Sequence, residues 1–270
     1  MAPDTVPFVN PPSPSNADDP RIGSFPADLH VHTVLSACAE VEMIPPLIVS
    51  QALSVGLRLL AVTDHNTGEN AAAMVEAARN TGLHVLPGME LQTREEVHLL
   101  CLFDEVFPLE AWQEEVFRRL PPLANREDLF GPQWVVDATG EWIRTEERLL
   151  AVSADISLEE AVVRVRRLGG LPVPAHVDRP SFSLFANLGL VPPGLAISAL
   201  EVSRNFRPAE GFIRRPQLRN WPLLASGDAH RLEDLRAVTR FRIVSPCLRE
   251  IEMALRGQEG RCFEVDWPAR

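Results

Sequence analysis

Asp28-Leu29-His30-Val31-His32 is the stretch on which the fold of this chain turns. It lies in an apolar run, Phe25 to Val34, that reads as a buried strand following a Pro-rich leader. Side chains two apart on a strand point the same way, so His30 and His32 offer two imidazoles to one metal ion. A lone His-x-His is weak evidence, because strand-end histidines also serve as ordinary hydrogen-bonding groups. Its company strengthens it. Asp64-His65 ends the apolar run Leu57 to Val62, Glu90 ends His84 to Met89, and His98 opens Val97 to Phe103. His176 ends Gly170 to Ala175, and Asp228-Ala229-His230 ends Pro222 to Ser226. Six of the seven histidines therefore fall at the ends of strand-like segments, mostly the C-terminal ends.

A chain of 270 residues, 46% hydrophobic and 23% charged, is long enough for one α/β barrel or two small domains around a sizeable core. No stretch approaches the ~18 consecutive apolar residues of a membrane span, so no membrane association is expected. Met1 to Pro20 lacks a basic n-region and an apolar h-region, so it reads as neither signal nor transit peptide. Residues 1–24 are expected to form a disordered or loosely draped arm, and residues 25–270 one domain. Cys38, Cys101, Cys247 and Cys262 are scattered without CxxC spacing, which argues against a disulfide framework and suits a reducing cytoplasm. The formal net charge of -11 works against broad nucleic-acid binding, which needs a basic footprint. Lysine is absent and all the positive charge is arginine, which carries no functional conclusion.

After the first strand, Met43 to Leu57 reads as a helix opened by Pro45-Pro46 and closed near Gly56. Asn70 to Asn80 is helical and stops at Thr81-Gly82; Leu109 to Leu120 is a helix with Trp112, Val116 and Leu120 on one face. Strands alternating with helices imply a largely parallel sheet, and this many units suggests a barrel. The alternation lapses over 121–150. There Gln133 to Val136 and Glu141 to Arg144 flank Asp137-Ala138-Thr139-Gly140, the pattern of a β-hairpin. This excursion is either a roof over the site or a surface flap without a role. Helix Ser157 to Leu168, with a capping box at Ser157 and Glu160, restores the alternation. Strands Leu171 to Ala175, Ala199 to Val202, Leu223 to Ser226 and Phe241 to Val244 follow, and helix Pro246 to Leu255 closes the chain.

Active sites of α/β barrels lie at the C-terminal ends of the strands, where this chain's ligand-type residues collect. His30, His32, Asp64, His65, Glu90, His98, His176, Asp228 and His230 are nine imidazole or carboxylate groups from six segments, too many for one tetrahedral ion. Two or three divalent ions are implied. Mixed histidine and carboxylate ligation favours zinc, manganese or iron over magnesium or calcium.

The set Asp-Leu-His-x-His, Thr63-Asp64-His65, Pro87-Gly88-Met89-Glu90, His98, Ala175-His176 and Gly227-Asp228-Ala229-His230 resembles the polymerase and histidinol phosphatase (PHP) family over residues 25 to 260. The resemblance implies an incomplete (β/α)7 TIM-like barrel holding up to three metals, and metal-dependent phosphoesterase activity. It places His30, His32, Glu90 and Asp228 on a first metal, and Glu90, His98 and His176 on a second. His65 and His230 fall on a third. The remaining ligand of that third site is often His or Asp in the family, and here the position is Cys38. Cys38 as a thiolate ligand, Glu40 in its place, a weak third site and a small buried thiol are the alternatives. Asp64 is expected either to ligate the third metal or to hydrogen-bond to a ligand histidine.

Two ions bridged by Glu90 would activate a shared water for in-line attack on phosphorus, with Asp64, His65 and Asp228 completing the catalytic set. Arg179, Arg204 and Arg231 follow strand ends and are candidates for the phosphate oxygens that the metals leave unpaired. His84 begins its strand and is expected far from the site. The leading function is hydrolysis of a small phosphomonoester or nucleotide, with no stable duplex partner. The alternatives are a nuclease acting on oligonucleotide ends and a non-catalytic metal-binding regulatory domain.

Overall fold

A computed structural model describes residues 21–267, so the arm expected over residues 1–24 lies largely outside the described residues, and the first strand already begins at Gly23. In chain order the strands are β1 (Gly23–Val31), β2 (Leu59–Val62), β3 (His84–Gln92), β4 (His98–Leu102), β5 (Trp134–Val136), β6 (Trp142–Thr145), β7 (Leu171–Pro174), β8 (Leu200–Val202), β9 (Leu223–Ala225), β10 (Thr239–Ile243) and β11 (Cys262–Val265). The helices are α1 (Pro45–Ser54), α2 (Ala71–Ala77), α3 (Val106–Arg119), α4 (Glu127–Phe130), α5 (Leu158–Arg167), α6 (Leu184–Asn187), α7 (Pro208–Arg214) and α8 (Leu248–Leu255). Strand β11 and the short helices α4, α6 and α7 have no counterpart in the expectations from sequence.

The fold is α/β, with a curled seven-stranded sheet in the order β11-β10-β1-β2-β3-β4-β7 and a separate β8-β9 pair. The expected largely parallel sheet is corrected to a mixed one. β1–β2, β2–β3 and β8–β9 are parallel, whereas β3–β4, β4–β7, β1–β10 and β10–β11 are antiparallel. The reason is local: only Thr93 to Val97 joins β3 to β4, too few residues for the crossover that a parallel partner requires. That reversal carries His98, at the start of β4, to the same end of the sheet as Glu90 near the end of β3. Further hydrogen bonds extend the curl. Val177 N donates to Glu201 O at 2.9 Å beside β8, and Ala229, beyond β9, exchanges backbone bonds with His30 and His32 at the end of β1.

Two apolar clusters flank the sheet. Ala27, Leu59, Ala61, Leu86, Leu100, Leu171, Val173 and Leu224 form the inner one together with α8, while α1, α2, α3 and α5 pack on the outer face. Along β3, β4 and the continuation of β9 the period of two links that inner core to the site. Leu86 shares a face of β3 with Glu90, Leu100 and Leu102 one face of β4 with His98, and Leu224 leads to Asp228. The inner faces are thus apolar towards one end and ionisable at the other. Segment 121–150 contains the antiparallel pair β5–β6 and is bound to the loops after β1 and β2. Trp134 N donates to Val34 O at 3.3 Å, Asn70 Nδ2 donates to Trp134 O at 3.1 Å, and Arg144 pairs with Glu69.

Candidate metal centre

Glu90 is the centre of the site. Its carboxylate is 1% exposed and faces five imidazoles at 2.7–3.4 Å: His98 Nδ1 at 2.7 Å, His176 Nε2 and His65 Nδ1 at 3.0 Å, His30 Nε2 at 3.2 Å and His32 Nε2 at 3.4 Å. Asp228 joins from beyond β9, its Oδ1 3.4 Å from both His30 and His32 and 3.5 Å from His230. Three ligand triads result, each within the span of one ion: His30/His32/Asp228, His65/Glu90/His98 and His32/His65/His230. The rings of His32 and His230 stack at 4.1 Å between centroids.

Burial alone would raise the Glu90 carboxyl, but His98, His30 and His65 outweigh it and hold the group well below the usual carboxylate range. Burial alone would lower His30, but Glu201, Glu90 and Asp228 outweigh it and keep its imidazole well above its ordinary value. Burial and the neighbouring His230 and His65 push His32 well below it. One small volume thus holds both carboxylates that cannot easily take a proton and an imidazole that cannot easily keep one.

The donor atoms fit a cation. His30 Nε2, His32 Nε2, His98 Nε2, His176 Nδ1 and Glu90 Oε2 are buried and make no aligned hydrogen bond, although several lie close to an oppositely polarised atom. Buried polar atoms without partners are rare in folded proteins, and here His30 Nε2, His32 Nε2 and Glu90 Oε2 converge, while His98 and His176 turn their other ring nitrogen to Glu90. The opposite ring nitrogens are firmly held. His30 Nδ1 lies 3.0 Å from Glu201 Oε2, and His32 Nδ1 lies 2.9 Å from Ser36 Oγ, which itself donates to Asp64 at 2.7 Å. A carboxylate or hydroxyl behind the imidazole fixes its tautomer and raises its basicity towards a metal.

Eight of the ten candidate ligands are therefore brought together: His30, His32, His65, Glu90, His98, His176, Asp228 and His230. Cys38 stands at the edge of the cluster and is exposed, which corrects the buried-thiol alternative; desolvation by its neighbours pushes its thiol up, but hydrogen bonds with His230 and His65 outweigh this and bring it down to about 6. Asp64 is not brought to the cluster as a ligand. Its two oxygens accept from Thr33 N, Thr33 Oγ1 and Ser36 Oγ at 2.7 Å each, so it braces the loop behind His32. Of the arginines, Arg179 reaches the site and pairs with Asp228. Arg204 pairs with Asp234, and Arg231 with Glu40 at 3.0 Å, so neither is directed at the cluster. His84 opens β3, remote from the other histidines.

Glu201 was not singled out from the sequence, yet it accepts from His176 N at 2.9 Å as well as contacting His30. An acidic residue inside the apolar strand Ala199 to Val202 was the available signal. Asp28 accepts from the backbone of Gly227 at 3.0 Å and Arg236 at 3.1 Å, clasping β1 to the Asp228 loop. A Cβ at Gly227 would lie 2.6 Å from Asp28 Oδ2, so only glycine fits there. His176 and Asp228 adopt left-handed backbone conformations, at φ 30° and 47°. Such strain concentrates at binding sites.

The PHP domain pattern matches residues 28–163, half of the chain. The chain belongs to the PHP domain family. No curated protein matches this PHP chain. Among solved structures it resembles the lesion-specific endonuclease Q of Pyrococcus furiosus, with a TM-score of 0.68 and 19% identity over 89% of this chain. The chain spans 58% of that endonuclease, which has also been solved with a 27-mer duplex carrying an abasic lesion at its active site. It also resembles a two-domain Bacteroides vulgatus protein containing a predicted PHP-like metal-dependent phosphoesterase, with a TM-score of 0.52 and 13% identity over 91% of this chain and 66% of that one. An amidohydrolase from Chromobacterium violaceum solved with bound sulfate gives 0.53 at 20% identity over 77% of this chain and 89% of that one. At these identities the likeness is one of fold. Among the described residues no helix is long and apolar enough to cross a membrane.

Proposed function

We propose that this PHP protein is a metal-dependent phosphoesterase that hydrolyses a small phosphomonoester or nucleotide. The observation that carries the reading is the buried Glu90 carboxylate facing five imidazoles, with its own Oε2 and the Nε2 atoms of His30 and His32 turned to one another without a hydrogen-bond partner. His30, His32, Glu90 and Asp228 would hold one ion, and Glu90, His98 and His176 a second. His65, His230 and Cys38 would hold a third. Zinc, manganese or iron suits this donor set. Divalent ions held there supply Lewis-acid polarisation of phosphoryl oxygens and activation of water at neutral pH.

The chain's own residues do the rest. Glu201 and Ser36 orient the imidazoles of His30 and His32. Arg179, part-exposed beside Asp228, presents a planar guanidinium to the phosphate oxygens that the ions leave unpaired. Backbone bonding from Val177 to Glu201 and from Ala229 to His30 and His32 supports reading the curled sheet as an incomplete (β/α)7 barrel, with segment 121–150 as an excursion beside its rim. Four free cysteines suit a cytoplasmic setting.

A nuclease is the second reading, favoured by the fold shared with an endonuclease over 89% of this chain. The net charge of -11 works against a duplex substrate. The test is a panel of phosphomonoesters, nucleotides and short single strands offered to protein loaded with manganese, zinc or iron. Turnover of small esters, abolished by chelator, is expected. Cleavage of oligonucleotides alone would establish the nuclease, and no turnover by fully metallated protein would leave a regulatory domain.

A further inference from the structure

Phe182 has an unusual setting. It lies on the loop between β7 and α6 at φ 51°, a left-handed conformation that a large aromatic residue seldom adopts. Its carbonyl accepts from His98 N at 3.1 Å, and one face of its ring stacks on the His98 imidazole at 5.1 Å between centroids, 26° from parallel. Yet the residue is 43% exposed. Ser183, fully buried, pins the turn by donating to Arg179 O at 2.7 Å and accepting from Ala186 N at 3.2 Å. A strained, exposed aromatic ring is therefore held in a fixed orientation against a candidate metal ligand.

The same loop borders a basic cleft. Three residues along, Phe185 carries the guanidinium of Arg215 at 5.1 Å from its ring centroid. Arg215 lines a cleft of about 200 Å³ with Arg207, Arg214, Asn205, Glu210 and Asp178. Asp178 follows His176 by two residues, and both its oxygens are occupied by Ser203 N and Oγ at 2.7 Å. Glu210 is 3.8 Å from Arg214. Neither Arg207 nor Arg215 forms an ion pair among the described residues. Three guanidiniums against two carboxylates, one of them hydrogen-bonded at both oxygens, leave the cleft suited to an anion. An aromatic platform followed by a basic cleft is the arrangement with which proteins hold single-stranded nucleic acid.

We infer that Phe182 is a stacking platform for a nucleobase next to the metal centre, and that the Arg207/Arg214/Arg215 cleft takes a neighbouring backbone phosphate, so that the substrate is a nucleotide strand end. The inference rests on the metal-dependent phosphoesterase reading and, within it, selects the strand-end nuclease over the small ester.

Binding can be separated from turnover. Manganese-loaded protein is titrated, by fluorescence anisotropy, into two labelled four-nucleotide strands with hydrolysis-resistant phosphorothioate linkages, one of adenines and one with the same backbone lacking bases. The adenine strand is expected to bind about tenfold more tightly. Phe182→Ala and Phe182→Leu should abolish that preference, and Phe182→Trp should retain it. Arg215→Ala should weaken both strands equally and flatten their salt dependence. Metal content and melting temperature are measured on each variant, because Phe182→Leu keeps an apolar cover over His98 without an aromatic face. Equal binding of the two strands by the wild-type chain would overturn the inference. So would a base preference that survives in Phe182→Leu, or one lost only together with bound metal. Failure of metallated protein to hydrolyse any phosphate ester would sink the phosphoesterase reading separately, whatever the binding shows.

Discussion

Asp64 and Glu90 are carboxylates of nearly equal burial, each 1% exposed, one just beyond β2 and the other on its parallel neighbour β3. Their surroundings are opposite. Asp64 is met by neutral donors, two hydroxyls and an amide, all at 2.7 Å. Glu90 is met by five imidazoles, four of which also leave a ring nitrogen without a partner. A carboxylate saturated by neutral donors is a brace, whereas one crowded by unsatisfied lone pairs is a place for a cation. Type and burial alone would not separate the two.

The largest effect should come from Glu90→Gln. Losing the shared charge should lower bound metal and reduce turnover by roughly 10³-fold or more, read by elemental analysis and steady-state kinetics. Cys38→Ser, at the edge of the cluster, should cost much less. Near-normal turnover in Glu90→Gln together with a dead Asp64→Asn would reverse the comparison.

Chelation should come next. An ion present at a thousand times its dissociation constant stabilises the fold by about 4 kcal/mol, roughly 10 °C for a chain of this size. Calorimetry with and without chelator measures it, and the difference should shrink in Glu90→Gln.

A finer contrast lies between the two braces. Glu201→Gln should weaken metal affinity about 10–100-fold by loosening His30, with little change in the chelated protein. Asp64→Asn should destabilise by about 1–3 kcal/mol even in chelator, because it spoils hydrogen bonds that exist without any ion. Urea unfolding in the two conditions separates them; equal losses for both variants in chelator would show that Glu201 is architecture as well.

The smallest difference concerns the arginines. Arg179→Ala should lower kcat/KM about tenfold or more, whereas Arg204→Ala, which loses only a part-exposed pair with Asp234, should stay within about twofold and cost roughly 0.5 kcal/mol. Equal effects on kcat/KM would mean that the ion pairs do not report which arginine meets the phosphate.

What the sequence made legible follows from distance along the chain. His30 and His32 were readable because a period of two is a local property of a strand, and His65, Glu90 and His176 because each ends an apolar run. Glu201 was not, since its value depends on His30, 171 residues away. Nor were the fates of Arg204 and Arg231, each drawn off by an acidic partner brought near only by folding. The antiparallel β3–β4 turn could have been read from its five residues, but the alternation of strands and helices masked it.

The pairing of β1 with β10 joins residues 23–27 to 239–243. Asp228 and His230 reach the site over nearly the same interval, and the Asp28 clasp holds both ends of it. On the ribosome, at 5–20 residues per second, β1 would therefore wait roughly 10–40 seconds with one edge open before its partner emerges. During that interval the nascent chain carries His30, His32, His65, Glu90 and His98 but lacks the acidic arm of Asp228. The order of synthesis thus holds back a complete ligand cluster until the segment 228–243 has emerged, and leaves the first strand with an unpaired edge over that interval.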